Sequence, residues 1–307
     1  MRKLNICVTG ANGFLGSKLL ERLNCNDNNV FVIGRNLKYI QSNNCRNIHY
    51  IECDLNKPIS KNLLNLVDCI DCLIHLAAYV PKNENEDNIE KSIQTNIFGT
   101  IKLVEAVGKI TKKIIYSSTL EVYGAPENLP ITENNCTEPL TFYGASKLSA
   151  EKYLNVYSAK TGLKLIILRF TSIYGPGEMY DRALPNYIRS VICDEPPVIY
   201  GTGIDLRDYL YVDDAVNAIM LAIKSNCGGV YNIASGLAYT KKEVAERIIR
   251  LSGKNLKLAF NHADFKPKNI AFDIKKAKND LSFSPNTDLE EGLMREIQWY
   301  KNLRTGD

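Results

Sequence analysis

Tyr143-Gly144-Ala145-Ser146-Lys147 sets a phenol and an amine four residues apart, on one face of any helix that carries them. A free phenol titrates near pH ~10 and is a poor acid or base at neutrality. An ammonium one turn away favours the phenolate and draws the phenol towards working range. The same amine can bond a ribose hydroxyl, so Lys147 would hold a nicotinamide while Tyr143 faces the substrate. Just upstream, an apolar run over 113–116 ends in Ser117-Ser118-Thr119, which puts a hydroxyl beside the same pocket. Near the start, Cys7-Val8-Thr9-Gly10-Ala11-Asn12-Gly13-Phe14-Leu15-Gly16 spaces three glycines as Gly-x-x-Gly-x-x-Gly. A strand that turns through such glycines into a helix offers bare amides and a helix N-terminus to a pyrophosphate. These residues predict a tuned phenol set beside a dinucleotide-binding turn.

These groups need strands and helices in a definite order. Apolar runs of strand length fall at 4–8, 30–33, 48–51, 71–76, 113–116 and 164–168. Helical patterns lie between them at 14–23, 61–67, 90–107 and 140–160; in the first, Leu15, Leu19, Leu20 and Leu23 share a face. That alternation predicts an α/β fold, a doubly wound parallel sheet of Rossmann type covered on both faces. Pro and Gly punctuate the second half, with helices expected at 182–193, 212–224, 240–252 and 288–302 and short apolar pieces at 198–200, 230–233 and 256–260. A dinucleotide-binding domain over 1–172 and a smaller mixed α/β substrate lobe over 173–307 follow, with the chain crossing back around 205–234.

Composition removes several classes of function. With 45% apolar and 23% charged residues, the 307-residue chain is an ordinary globular protein, large enough for a substantial core. A net charge of +4 without a basic block leaves no electrostatic footprint for nucleic acid. No apolar run approaches membrane-spanning length. Met1-Arg2-Lys3-Leu4 runs straight into the first strand, so no export signal and a cytoplasmic location are expected. Nine scattered cysteines fit reduced thiols. Cys69-x-x-Cys72 lacks the second pair a structural zinc needs, so no metal is expected.

The cofactor's details are read from strand ends. The second strand ends in Gly34-Arg35-Asn36, where dinucleotide folds often place a carboxylate for the ribose hydroxyls. A guanidinium there suits a ribose phosphate, so NADP(H) is favoured and NAD(H) is the alternative. Asp54-Leu55 stands where the adenine edge would lie, and Leu76-Ala77-Ala78 offers small residues beside a ribose. His75 is expected to be packed rather than catalytic.

The ordered motifs make the chain resemble an extended short-chain dehydrogenase/reductase, of the group containing nucleotide-sugar epimerases, dehydratases and ketoreductases. They are Thr9 to Gly16, Asp54-Leu55, His75 to Ala78, Thr95-Asn96-Ile97-Phe98-Gly99-Thr100, Ser117 to Gly124, Tyr143 to Lys147 and Leu168-Arg169-Phe170 with Ile173 to Gly177. Arg207 to Asp214 and Tyr231 to Gly236 complete them. The resemblance implies Tyr143 as acid/base, Lys147 as its tuner and Thr119 as the hydroxyl orienting the substrate. It implies cofactor contacts from Gly10, Asn12, Gly13, Phe14, Leu15, Gly16, Arg35, Asp54, Leu55, Leu76, Ala77, Ala78, Tyr143, Lys147, Phe170 and Ile173. Sugar-nucleotide contacts would come from Thr119, Glu121, Tyr143, Ser172 and Arg207, with Arg207 on the diphosphate. It also implies a homodimer through helices 84–108 and 140–160.

Departures from the family pattern narrow the reaction. Members that remove water across C5–C6 usually carry two polar residues after the threonine; here the pair is Leu120-Glu121, with one missing. The 4-epimerases resembling this group usually have Asp where Arg35 stands, and Asn is frequent where Ser172 stands. The expected reaction is therefore NADPH-dependent reduction of the 4-keto group of a nucleotide-linked 6-deoxy sugar. NAD-dependent 4-epimerisation is the alternative, and 4,6-dehydration or a non-catalytic nucleotide sensor are lesser ones.

Overall fold

The protein is described from a computed structural model, covering residues 2–25, 27–35, 47–57, 59, 68–262 and 268–305. The helix expected at 61–67 lies outside the described residues. The first half runs β1 (Asn5–Thr9), α1 (Phe14–Asn24), β2 (Asn29–Gly34), β3 (Ile48–Glu52) and β4 (Cys72–His75). A long helical stretch follows as α2 (Ile89–Lys91), a π-helical segment Ser92–Phe98 and α3 (Gly99–Val107). Then come β5 (Lys113–Thr119), α4 (Phe142–Thr161) and β6 (Lys164–Phe170). The second half holds β7 (Ser172–Tyr174), α5 (Ala183–Ile192), β8 (Val198–Tyr200), β9 (Leu206–Tyr211) and α6 (Val212–Lys224). It continues with β10 (Gly229–Ile233), β11 (Ala238–Thr240), α7 (Lys241–Ser252), β12 (Ala259–Asn261), α8 (Lys275–Leu281) and α9 (Leu289–Thr305).

Seven parallel strands pair in the order β3-β2-β1-β4-β5-β6-β10. The apolar runs of β1, β2, β4, β5 and β6 are continuous because each of these strands buries both of its faces. Ile6, Val8, Val30, Val32, Ile74, Ile115, Ile166 and Leu168 point into one layer with Leu19, Leu20 and Leu23 of α1 and Ala215 and Ile219 of α6. The alternate residues Cys7, Phe31, Ile33, Leu73, Ile114, Tyr116, Leu165 and Ile167 meet Leu103, Val104 and Val107 of α3 and Ala150 and Leu154 of α4. Each fully buried aliphatic side chain contributes ~1.5–3 kcal/mol, so these two layers supply the bulk of the hydrophobic stabilisation.

The direction of winding reverses between β1 and β4, which opens a crevice at the carboxyl ends of those strands. The chain returns from the second half through α6 to place β10 at the edge beside β6. Lys113, buried at the start of β5, fastens that return: its Nζ donates to the carbonyls of Ala222, Ile223 and Ser225 at 3.1, 2.7 and 2.6 Å. The remaining elements of the second half form their own core, with Leu184, Ile188, Val191, Ile199, Val244, Ile248, Leu293 and Ile297. The sequence did not announce β7, β9, β11 or α8. The first three join a separate three-stranded sheet, and α8 is a single short helix of seven residues.

Candidate active site

Gly10 has φ +76°, and a Cβ there would sit 2.5 Å from the Ala77 backbone nitrogen. The β1 loop can therefore lie against the end of β4 only with glycine at this position. A Cβ on Gly16 would overlap the Gly10 carbonyl, so the first turn of α1 is pressed onto the same loop. Gly13 is the N-cap of α1 and supplies no side-chain cap, which leaves the first-turn amides to the crevice. These glycines fit a pyrophosphate. Around them, the Asn12 amide donates to the Arg35 carbonyl at 3.0 Å, and Arg35 is exposed at the end of β2. Phe14 lies near Gly177, and Leu15 packs between the sheet layer and the second core.

The other expected cofactor residues lie at strand ends in different roles. Asp54 accepts from the Asn56 amide at 3.0 Å. Leu55 is buried against Gly99. Leu76 and Ala77 pack on opposite layers of the sheet, with Ala78 half-buried after them. Phe170 is a core side chain, and Ile173 bridges two cores.

Helix α4 buries Gly144, Ser146, Lys147, Ala150, Glu151 and Leu154, where a helix serving only the core would bury leucines. Its first turn is held twice. Thr141, the N-cap, accepts from the Gly144 amide at 3.0 Å. Asp87, more than fifty residues away in sequence, accepts from the Phe142 and Tyr143 amides at 2.7 and 2.9 Å. Tyr143 and Lys147 follow directly on this clamped turn. Thr119 ends β5, where its oxygen accepts from the Glu121 amide at 3.3 Å and its hydroxyl lies close enough to the Tyr143 phenol to act on it.

Burial pushes the Tyr143 phenol upward. Arg182 and the Thr119 hydroxyl pull it down, while Tyr180 and Glu121 add to the rise. Lys147 is 2% exposed, and burial pushes its amine down to about 7, with Glu151 pulling it back up. Burial opposes the pull on the phenol expected of Lys147. In so dry a pocket each group is driven towards its neutral form. The Lys147 Nζ lies 4.1 Å from the centre of the buried Tyr116 ring. Beneath it, Glu151 accepts from Arg169 at 3.0 and 2.6 Å and from the Ser118 hydroxyl at 2.5 Å.

Glu121 is half-buried at the edge of this pocket, where its carboxylate meets the Thr141 hydroxyl at 3.4 Å. Ser172 is half-buried in β7, paired with Tyr209. The Arg207 guanidinium is spoken for inside the second lobe: Nη1 donates to the carbonyls of Leu206 and Lys268, and Nη2 lies 3.5 Å from Asp205. Sequence reasoning did not single out Asp87, Ser146, Tyr180 or Arg182 as site residues. Asp87 and Ser146 act through hydrogen bonds across long sequence separations, and Arg182 and Tyr180 stand on a loop with no motif of their own. All described cysteines are free, and burial pushes the Cys72 thiol up to about 12. No group of three or more His, Cys, Asp or Glu side chains that could hold a metal occurs among the described residues. No described helix is long and apolar enough to cross a membrane.

A dinucleotide cradle at the switch point beside a threonine, tyrosine and lysine defines a short-chain-dehydrogenase type of enzyme. Residues 6–234 match the NAD dependent epimerase/dehydratase family, and the chain belongs to it. It is similar to a putative UDP-glucose 4-epimerase of Methanocaldococcus jannaschii, at 30% identity over 97% of this chain and 98% of that one. Among solved structures, a UDP-N-acetylglucosamine 4-epimerase from Methanobrevibacter ruminantium, in complex with UDP-N-acetylmuramic acid, superimposes with a TM-score of 0.88. It is 30% identical over 99% of this chain and 100% of its own. A UDP-glucuronic acid 4-epimerase from Bacillus cereus, bound to UDP-glucuronic acid and NAD, gives 0.87 at 29% identity, over 98% and 100% of the two chains.

Proposed function

We propose that the chain is an NAD-dependent 4-epimerase acting on a UDP-linked sugar. The observation that carries this reading is the end-to-end similarity to 4-epimerases, one of them solved with NAD. This replaces 4-keto reduction as the leading expectation. Dehydration is disfavoured because residues 120–121 supply one carboxyl group where an acid and a base would be needed.

In this reading Tyr143 accepts the proton of the sugar 4-hydroxyl as the C4 hydrogen leaves as hydride, and returns the proton once the sugar has turned over. Thr119 orients that hydroxyl. Lys147 binds the cofactor ribose and, when charged, stabilises the phenolate. Bound NAD would accept the hydride and give it back to the opposite face of the 4-keto sugar. The positive charge of an oxidised nicotinamide favours the phenolate that burial alone disfavours. Holding C4 within hydride reach supplies much of the acceleration by positioning. Gly10, Gly13 and Gly16 would take the pyrophosphate, and Arg35 the adenosine ribose side. Arg207 is a proposed diphosphate ligand only if it exchanges its present carbonyl partners for phosphate. The exposed Phe98, Phe142, Tyr153 and Val156 on α4 and its neighbouring helical stretch support a homodimer through 84–108 and 140–160.

Incubating purified protein with UDP-glucose, UDP-N-acetylglucosamine or UDP-glucuronic acid, with no cofactor added, tests the proposal. Inversion at C4 of one of them is expected. No inversion, with stoichiometric loss of NADPH on a nucleotide-linked 4-keto-6-deoxy sugar, would instead identify a reductase.

A further inference from the structure

His75 is 1% exposed at the end of β4, and the hydrogen bonds around it determine where its proton sits. The Thr100 hydroxyl donates its only hydrogen to the Asn96 carbonyl at 2.7 Å. Towards His75 Nε2, 2.9 Å away, the Thr100 oxygen can therefore only accept, so Nε2 carries the hydrogen. Nδ1 of a neutral ring is then bare and accepts from the Thr9 hydroxyl at 2.7 Å. The Thr9 oxygen, its own hydrogen committed, accepts the Ala77 amide at 3.2 Å. Every hydrogen in this string has one consistent place.

The string reaches further on the side of Thr100. Asn96 accepts the Tyr79 amide at 2.7 Å and donates to the Tyr79 carbonyl at 3.1 Å and to Ser146 Oγ at 2.8 Å. Ser146 in turn donates to the Tyr143 carbonyl at 2.7 Å. On the other side lie Thr9, which precedes Gly10, and Ala77, against whose backbone Gly10 is pressed. The imidazole thus links the dinucleotide crevice, through Asn96 and Ser146, to the phenol's helix.

We propose that His75 is a positioning residue: a permanently neutral, Nε2-protonated imidazole that locks the carboxyl ends of β1 and β4 to Asn96 and, through Ser146, to the turn carrying Tyr143. A cationic ring would present a second donor to Thr9 and break the string. Its surroundings oppose that charge as well. Burial and the nearby Lys147 push the imidazole down to about 3, and Tyr116 of β5 sets its ring 5.6 Å from it.

The proposal rests on the reading of Tyr143 as the acid/base, but its first test does not. In protein carrying 15N-labelled histidine, the His75 resonances should report a protonated Nε2 and a bare Nδ1, unchanged between pH ~5 and ~9. A ring protonated on Nδ1, or one that titrates in that window, overturns the proposal whether or not activity has been found.

The second test separates the two arms. An asparagine amide occupies roughly the place of Nδ1, and a glutamine amide that of Nε2. His75→Asn keeps the Thr9 contact and loses Thr100; kcat should fall about 10-fold or more while NAD affinity stays within about 3-fold. His75→Gln keeps Thr100 and loses Thr9; NAD affinity, measured by calorimetry, should fall by about 10-fold with a smaller loss in kcat. Equal losses in both variants, or none, would show that the ring merely fills space.

Discussion

At the scale of single residues, the account turns on charge in a dry pocket. Tyr143→Phe should abolish turnover by at least about 10³-fold while leaving NAD binding intact, because the ring still fills its place and only the proton carrier is lost. Direct binding of NAD alongside steady-state rates checks both halves. Beneath Lys147, Glu151 is paired with Arg169 through two bonds and is 1% exposed. Glu151→Gln leaves a buried guanidinium without its counter-charge, and urea unfolding should show a loss of about 3–5 kcal/mol. Replacing both partners with apolar residues of similar volume should cost much less. Tyr143, Lys147 and Thr119 could be picked out of the sequence because helical spacing pairs the first two on one face of α4 and a strand end marks the third. Asp87 and Ser146 were not legible as site residues. A carboxylate meeting two amides 55 and 56 positions later leaves no local pattern.

At the scale of elements, what positions the phenol is the clamp on the first turn of α4. Asp87→Ala removes acceptors from two amides and should destabilise the protein by about 1–2 kcal/mol, read by thermal or urea unfolding. A second pair of elements carries a pH dependence. Glu178, after β7, is 2% exposed and pushed by burial up to about 7, while Glu296 on α9 is fully buried and shifted upward by burial and by the Glu178 charge.

A carboxyl whose folded pKa is raised holds its proton longer when folded than when unfolded. Its stabilising share is present below the unfolded value of 4.5 and is lost as pH rises through about 7. Glu178→Gln should therefore remove on the order of 3 kcal/mol from the difference in unfolding free energy between pH ~4 and ~8. An unchanged difference would place the titration elsewhere. Strands β1, β2, β4, β5 and β6 and helices α1 and α3 were readable because they bury both faces or one stripe along their length. Strands β7, β9 and β11 were not, since three to six residues of mixed polarity have no usable period, and their partners come from distant parts of the chain.

At the scale of the molecule, the proposed reading would have one sheet with a reversal of winding hold dinucleotide, phenol and sugar in a single crevice. The seven-strand order could be anticipated in class from the alternation of elements. The edge strand β10 was expected only as a return of the chain towards the first domain. If two copies meet through 84–108 and 140–160, charges at Tyr153 and Val156, which are 56% and 54% exposed, should yield a monomer in sedimentation velocity with the fold intact.

The central claim is that hydride leaves C4 of the sugar and returns to the same carbon within one closed site. Its most direct test is a UDP-sugar carrying deuterium at C4, incubated with the enzyme in ordinary water until the 4-epimer forms. Retention of the deuterium at C4 in the inverted product is predicted. Its replacement by solvent hydrogen would contradict the account.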